Sequence, residues 1–265
     1  AMSSFFERLQ RANRFYDTSA PAYLRTHPIT SERIADMEAR SESAPYHQVP
    51  DSLDFQLVRA RLRARTDNPA DALNTARASL KDKRYSSAIA ARYGLVIALL
   101  RARQYGEAET ETQKLLAAKS GSALIQLLAA QVAAEGGNSA LALQRYQSGS
   151  REYPGYRPLQ YGYIDTLLTA GRNSDALALA DRQLDLYPGD RRLWQLSAKT
   201  HARLGHQLMS HRAQAEAAAL SGNLVAAIEQ ISLGIKTGDG SFYDQSAAEA
   251  RKREWQAQEK AQRGK

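Results

Sequence analysis

Histidine is the residue type in this chain best suited to bind a transition metal, because the 265 residues include five histidines and no cysteine. Three of them, His201, His206 and His211, follow one another at intervals of five residues and straddle Gly205. Two zinc ligands on one helix are usually four residues apart, whereas a step of five turns the side chain by about 140°. We therefore expect these three side chains to diverge and to bind no metal. The lack of cysteine also excludes disulfides, thiolate metal sites and a cysteine nucleophile.

Basic side chains also recur on one face of a predicted helix. Arg192, Lys199 and Arg203 are spaced i, i+7 and i+11, which places them on the same side of that helix. Because neighbouring cations repel one another, an acidic partner segment is a natural hypothesis. The chain has 36 basic and 28 acidic residues, but the two signs are mixed through most predicted helices and no nucleic-acid-binding motif is present. We therefore expect protein partners and no nucleic acid.

A 34-residue repeat positions these side chains. Gly137 and Gly171 begin near-identical segments, Pro154 and Pro188 follow at the same interval, and Ala108, Ala142 and Ala176 continue the step, as does Gly205. A period of 34 residues is typical of tetratricopeptide (TPR) repeats, in which each unit is a pair of antiparallel helices. The sequence therefore predicts an all-α fold, a TPR α-solenoid. Helix pairs are expected at about 53–84, 89–120, 123–153, 157–187 and 191–220.

The repeat is irregular at both ends. The step from Ala72 to Ala108 is 36 residues, which indicates a two-residue insertion near Lys81 to Lys83. Gly205 and Gly222 are only half a repeat apart, so we expect one helix, about 206–220, to serve two neighbours before a helix at 223–236. A charged last helix, about 244–262, is expected to cap the array.

The first helix of each pair lines the concave surface of a TPR array, where a peptide or a partner loop can bind. Tyrosine and arginine, which are common at binding hot spots, occur among the positions that the repeat places there. The alternative is that these positions are merely polar and hydrated. They lack the Lys/Asn pattern of TPR clamps that hold C-terminal carboxylates. The candidate binding residues are Tyr93, Arg101, Gln131, Tyr161, Asp165, Arg192, Gln195, Lys199 and Arg203.

The first fifty residues differ from the repeats and are too few to bury a core of their own. Short helices are predicted at 3–16 and from residue 30, and we expect these elements to belong to a larger domain. We divide the chain into a domain remnant (1–44), a linker (45–52), the TPR array (53–236) and a capping helix with a basic tail (237–265). No signal peptide is recognisable at the start, and no apolar run approaches the ~20 residues of a membrane-spanning helix.

Two segments of this remnant carry a resemblance to a known family. Met2-Ser-Ser-Phe-Phe-Glu-Arg-Leu9 and Leu24-Arg-Thr-His-Pro-Ile-Thr-Ser-Glu-Arg-Ile34 resemble the end of the catalytic domain of bacterial HExxH zinc peptidases. The branch with a C-terminal TPR array, the periplasmic β-barrel assembly-enhancing proteases, is the most similar. The resemblance implies a periplasmic location, zinc in the intact protein, and the outer-membrane β-barrel assembly machinery or its substrates as partners. It also implies that His27 lies beside the active-site cleft, as an extra zinc ligand or a gate. The alternative for His27 is a loop histidine bonded to the backbone.

The catalytic motif of that family is missing here. No HExxH sequence occurs in the 265 residues, so both histidine ligands and the general-base glutamate are absent. We therefore predict that this chain alone holds no zinc, has no proteolytic activity and binds partners for a protease that assists barrel assembly and degrades stalled substrates. The alternative function is a stand-alone TPR adaptor without protease activity.

Overall fold

The computed structural model describes residues 35, 36, 39 and 50–263 with the exception of 67 and 119. The chain divides into two compact units, Ala1–Asp51 and Ser52–Lys265. His27 and the segments that resemble a peptidase lie outside the described residues.

The second unit consists of helices, and its described residues form no strand. None of the described helices combines the length and the apolar character needed to cross a membrane. The helices are α1 (Leu53–Thr66), α2 (Pro69–Lys81), α3 (Ala88–Arg101), α4 (Tyr105–Ala117), α5 (Ala123–Glu135), α6 (Ser139–Glu152), α7 (Arg157–Thr169), α8 (Asn173–Leu186), α9 (Arg191–Leu204), α10 (Gln207–Ala219), α11 (Leu224–Thr237) and α12 (Phe242–Arg263).

The repeated residues perform the roles expected of a TPR array. Gly137, Gly171 and Gly205 turn the chain between the two helices of a pair with φ of +83°, +73° and +80°, a backbone conformation that favours glycine. The repeated alanines at 108, 142 and 176 are fully buried. The predicted all-α TPR α-solenoid is therefore confirmed.

The core is a succession of local clusters, as expected when each repeat packs mainly on its neighbours. One cluster joins α1 to α5, a second α5 to α7, a third α7 to α9, and a fourth α10 to α12. The loop between α2 and α3 has six residues (82–87), against four between α6 and α7 (153–156), and it lies where the 36-residue first step predicts an insertion.

Helix α10 packs extensively against both α9 and α11, as the half-repeat spacing of Gly205 and Gly222 predicts. Helix α12 then covers α11 and part of α10. The guanidinium of Arg251 donates two hydrogen bonds to the carboxylate of Glu216 on α10, at 2.9 and 2.8 Å, and lies 4.8 Å from the ring centroid of Trp255. Trp255 is 2% exposed, so the last helix is anchored by a buried ring beside an ion pair.

Candidate functional site

The basic face predicted on α9 has a carboxylate opposite it. Asp165 on α7 accepts a hydrogen bond from the Lys199 ammonium at 2.6 Å and lies 3.4 Å from the Arg192 guanidinium. An acid of the same chain therefore already pairs with two of the three cations, and the acidic partner segment stays a prediction. Arg203 is exposed and forms no ion pair with any residue that the structure describes.

Tyr161 belongs to a hydrogen-bonded network at the start of α9. Its hydroxyl donates to Asp190 Oδ2, and the Arg157 guanidinium donates to the same oxygen at 2.6 Å. The other carboxylate oxygen of Asp190 caps α9 by accepting from the amide nitrogens of Arg192 and Leu193. Burial raises the pKa of Asp190, but these four donors together outweigh burial and hold it below its ordinary value. Burial and Asp190 raise the pKa of Tyr161 to about 12. The Tyr161 hydroxyl therefore already donates its hydrogen bond within the chain, whereas the ring remains partly exposed.

An open slot of about 430 Å³ lies between α9 and α10. Gln195 and Lys199, both exposed, stand at its edge next to the Asp165 pair. Small side chains form most of its remaining surface, among them Ala198, Ala202 and Ala217. The slot thus joins an apolar floor to a polar and charged rim on the face of α9 that adjoins α7.

A second recess, of about 190 Å³, lies where α1, α3 and α5 meet and brings together three predicted residues, Tyr93, Arg101 and Gln131. Tyr93 is only 1% exposed, so it forms the base of the recess and offers little surface to a partner. The Arg101 guanidinium donates to the carbonyl oxygen of Ala64 on α1.

Three further residues line this recess that were not among the predicted ones: Arg61, Arg65 and Glu135. The repeat spacing indicates two of them. The 36-residue first step relates Arg65 to Arg101, and the 34-residue step relates Arg101 to Glu135.

Two of the three spaced histidines meet, contrary to the expectation that they diverge. The Nδ1 atoms of His201 and His206 are 3.4 Å apart, and the ring centroids are 5.6 Å apart. The rotation of 140° applies to a continuous helix, whereas here Gly205 ends α9 in the left-handed region and His206 caps α10. His211 instead pairs with Gln230 at 3.0 Å.

Burial, with smaller contributions from His206 and Arg212, lowers the pKa of His201 to about 4. Within the described residues no three His, Cys, Asp or Glu side chains are grouped so as to hold a metal ion. The side chains described here therefore do not fit the zinc that the peptidase resemblance implies.

Comparisons with known proteins agree with this architecture. A family model described as tetratricopeptide repeat matches residues 133–200. The chain is 29% identical over 88% of its length to the β-barrel assembly-enhancing protease of Yersinia pestis, and likewise 29% identical over 88% of its length to the protein of that name in Escherichia coli K12. These matches cover 48% and 47% of the two relatives, so the chain spans about half the length of the curated relatives it matches.

Among solved structures, YrrB, described as a TPR protein with an unusual peptide-binding site, has a TM-score of 0.48. It is 18% identical, and the match covers 75% of this chain and 97% of YrrB. The chain is thus similar to β-barrel assembly-enhancing proteases over most of its length, and the TPR match lies within its helical array.

Proposed function

We propose that this chain binds a segment of a protein partner on its concave surface, with the slot between α9 and α10 as the main contact. The observation that carries the proposal is the slot itself, in which an open apolar floor adjoins Gln195, Lys199 and the Asp165 pair. A binding groove for a polypeptide combines these parts, since apolar surface supplies contact area and a polar rim fixes the orientation of the bound segment.

The irregular packing after α9 supports this interpretation. In the preceding repeats, α5 packs against α7 and α7 against α9, so the first helices of successive pairs cover one another. Helix α11 instead packs on α10, in keeping with the half-repeat slip at Gly222. The side of α9 that carries Ala198 and Ala202 is left open as the slot.

The ion pairs beside the slot can be exchanged at low cost. The side chains of Arg192, Lys199 and Asp165 are 53%, 49% and 34% exposed, and exposed ion pairs of this kind contribute about 0–1 kcal/mol each. A carboxylate from a partner can therefore replace Asp165 as the acceptor of either cation. Such a contact mainly increases the association rate and makes it sensitive to salt.

We infer the biological process from the name of the relatives. Their name states that they are proteases that enhance β-barrel assembly, and we propose that this TPR array serves the same process in the periplasm. Its partners would be the outer-membrane β-barrel assembly machinery or unfolded barrel substrates. No catalytic step is assigned to the described residues, and the degradation of stalled substrates with zinc is proposed only for a longer protein that carries HExxH.

Filling the slot tests this function. Ala202 is exposed and lines the slot, whereas Ala178 is exposed on α8 outside it. We expect Ala202→Trp to weaken binding of the purified assembly machinery or of an unfolded barrel protein, and Ala178→Trp to leave both affinities unchanged, at equal helicity. Equal affinities for the two variants would contradict the slot as the contact. Wild-type chain that binds neither probe but captures other proteins would favour the adaptor alternative.

A further inference from the structure

The recess between α1, α3 and α5 is lined by three guanidinium groups and one carboxylate, with Tyr93 at its base. Arg61 and Arg65 come from α1, Arg101 from α3 and Glu135 from the end of α5. None of the three arginines forms an ion pair within the described part of the chain. The recess therefore concentrates positive charge that no neighbouring acid neutralises by direct contact.

A neutral acceptor holds one of these guanidinium groups in place, since Arg101 donates a hydrogen bond to the carbonyl oxygen of Ala64. The positive charge of Arg61 counteracts burial at the hydroxyl of Tyr93 by lowering its pKa. Burial is the main reason that the pKa of Tyr93 lies above its ordinary value, so the phenol stays neutral at physiological pH. The contact with Ala64 fixes Arg101 without cancelling its charge, and N–H groups of both Arg61 and Arg101 remain for an anionic ligand, since each guanidinium carries five.

Glu135 opposes an anion in the recess and also limits what can bind there. Burial raises the pKa of its carboxyl, and the field of Arg65 partly offsets that effect. The remaining wall consists of the apolar side chains of Ile97, Leu100 and Leu128 together with Gln131. A volume of about 190 Å³ admits a carboxyl group with a short carbon stem and excludes a folded domain.

We propose that this recess binds a carboxylate of a partner polypeptide, so that the concave surface of the array selects segments that carry an acidic group. The inference rests on the proposed function in that it names the chemistry of the bound segment, but it concerns α1, α3 and α5 and not the slot beside α10. Carboxylate suits the site because guanidinium groups bind it through paired, charge-assisted hydrogen bonds. The carboxylate can belong to a side chain or to a chain end.

Fluorescently labelled hexaglutamate amide and hexaglutamine amide are the probes, and their dissociation constants are measured by anisotropy at low salt. We expect hexaglutamate to bind more tightly. Replacing Arg65 by Gln should weaken hexaglutamate binding about tenfold, the loss expected when one hydrogen-bonding cation is removed. Glu135→Gln should strengthen binding, because the competing carboxylate is gone. Hexaglutamine with a free C-terminal carboxylate distinguishes the two sources, and tight binding of that peptide would assign the recess to a chain end.

Arg63→Gln is the matched control. Arg63 is an exposed arginine of the same helix, but it lines a different recess with Thr75 and Arg84. Equal losses of hexaglutamate affinity for Arg63→Gln and Arg65→Gln would overturn the inference, because the loss would then reflect the overall charge of the chain. Equal binding of hexaglutamate and hexaglutamine would also overturn it. If Ala202→Trp abolishes partner binding while Arg65→Gln has no effect on any probe, the proposed function stands and this inference fails.

Discussion

The ring of Tyr146 on α6 occupies the space that a side chain at position 162 on α7 would need. A Cβ atom added to Gly162 would lie 2.4 Å from Cε1 of that ring, closer than non-bonded carbon atoms can approach. Tyr146 is itself 3% exposed and belongs to the cluster that joins α5 to α7. The glycine therefore allows α6 and α7 to pack around a buried aromatic ring. This packing fixes the position of α7, the helix that carries Asp165.

The first prediction concerns this pair. Gly162→Ala should destabilise the chain by about 1–3 kcal/mol, because the ring must leave its position to admit the methyl group. Urea unfolding followed by circular dichroism measures the change. The control is Gly106→Ala in α4, where nothing lies within 4 Å of the added Cβ; it should leave stability unchanged or raise it slightly. Equal stabilities of the two variants would contradict the packing described here.

The second prediction concerns the repeated turn at Gly171. Its φ of +73° disfavours any residue with a Cβ, although nothing surrounds the added atom, so Gly171→Ala should cost about 1 kcal/mol. Gly189→Ala, at an open position without positive φ, should have a smaller effect. Thermal unfolding of both variants measures the two losses of stability. A larger loss at Gly189 would show that the turns are misassigned.

The third prediction concerns the anchor of the last helix. Arg251→Ala removes both hydrogen bonds to Glu216, which is 8% exposed, and should destabilise the docked helix by about 1–3 kcal/mol. Hydrogen exchange of 242–263 should accelerate, and Trp255 fluorescence should shift to longer wavelength. Arg253→Ala removes only an exposed 3.7 Å pair with Glu249, so its exchange rates should match those of wild type.

The fourth prediction concerns acid sensitivity at His201. Burial favours the neutral ring and lowers its pKa to about 4 in the folded chain, against about 6.5 when unfolded. The unfolded state therefore binds more protons between these values, and stability is lost as the pH falls from about 6.5 towards 4. His201→Gln should flatten this part of the curve of melting temperature against pH. A wild-type slope in this variant would exclude His201 as its source.

Periodic features were the most predictable part of the structure. The 34-residue step gave the helix pairs, the glycine turns and the buried alanines, because each depends on local conformation and on contact with an adjacent repeat. The same step also identified the half-repeat slip at Gly222, from which the slot beside α10 follows.

Side-chain partners across helices were less predictable. The pairing of Lys199 with Asp165 joins residues 34 positions apart, and the repeat places both in the groove without predicting a contact between them. The meeting of His201 and His206 depends on the left-handed turn at Gly205. Helical spacing alone cannot describe such contacts, because they depend on where one helix stops and how the next one crosses it.

Site-specific photo-crosslinking tests the central claim most directly. A benzophenone amino acid replaces Gln195 at the edge of the slot in one variant and Gln147, exposed on α6 outside the slot, in the other. Each variant is irradiated with the purified β-barrel assembly machinery and, separately, with an unfolded barrel protein. Binding in the slot predicts a crosslinked product at position 195 and little product at position 147. An excess of unlabelled chain should reduce the product at position 195. Equal crosslinking at both positions, or product at 147 alone, would contradict it.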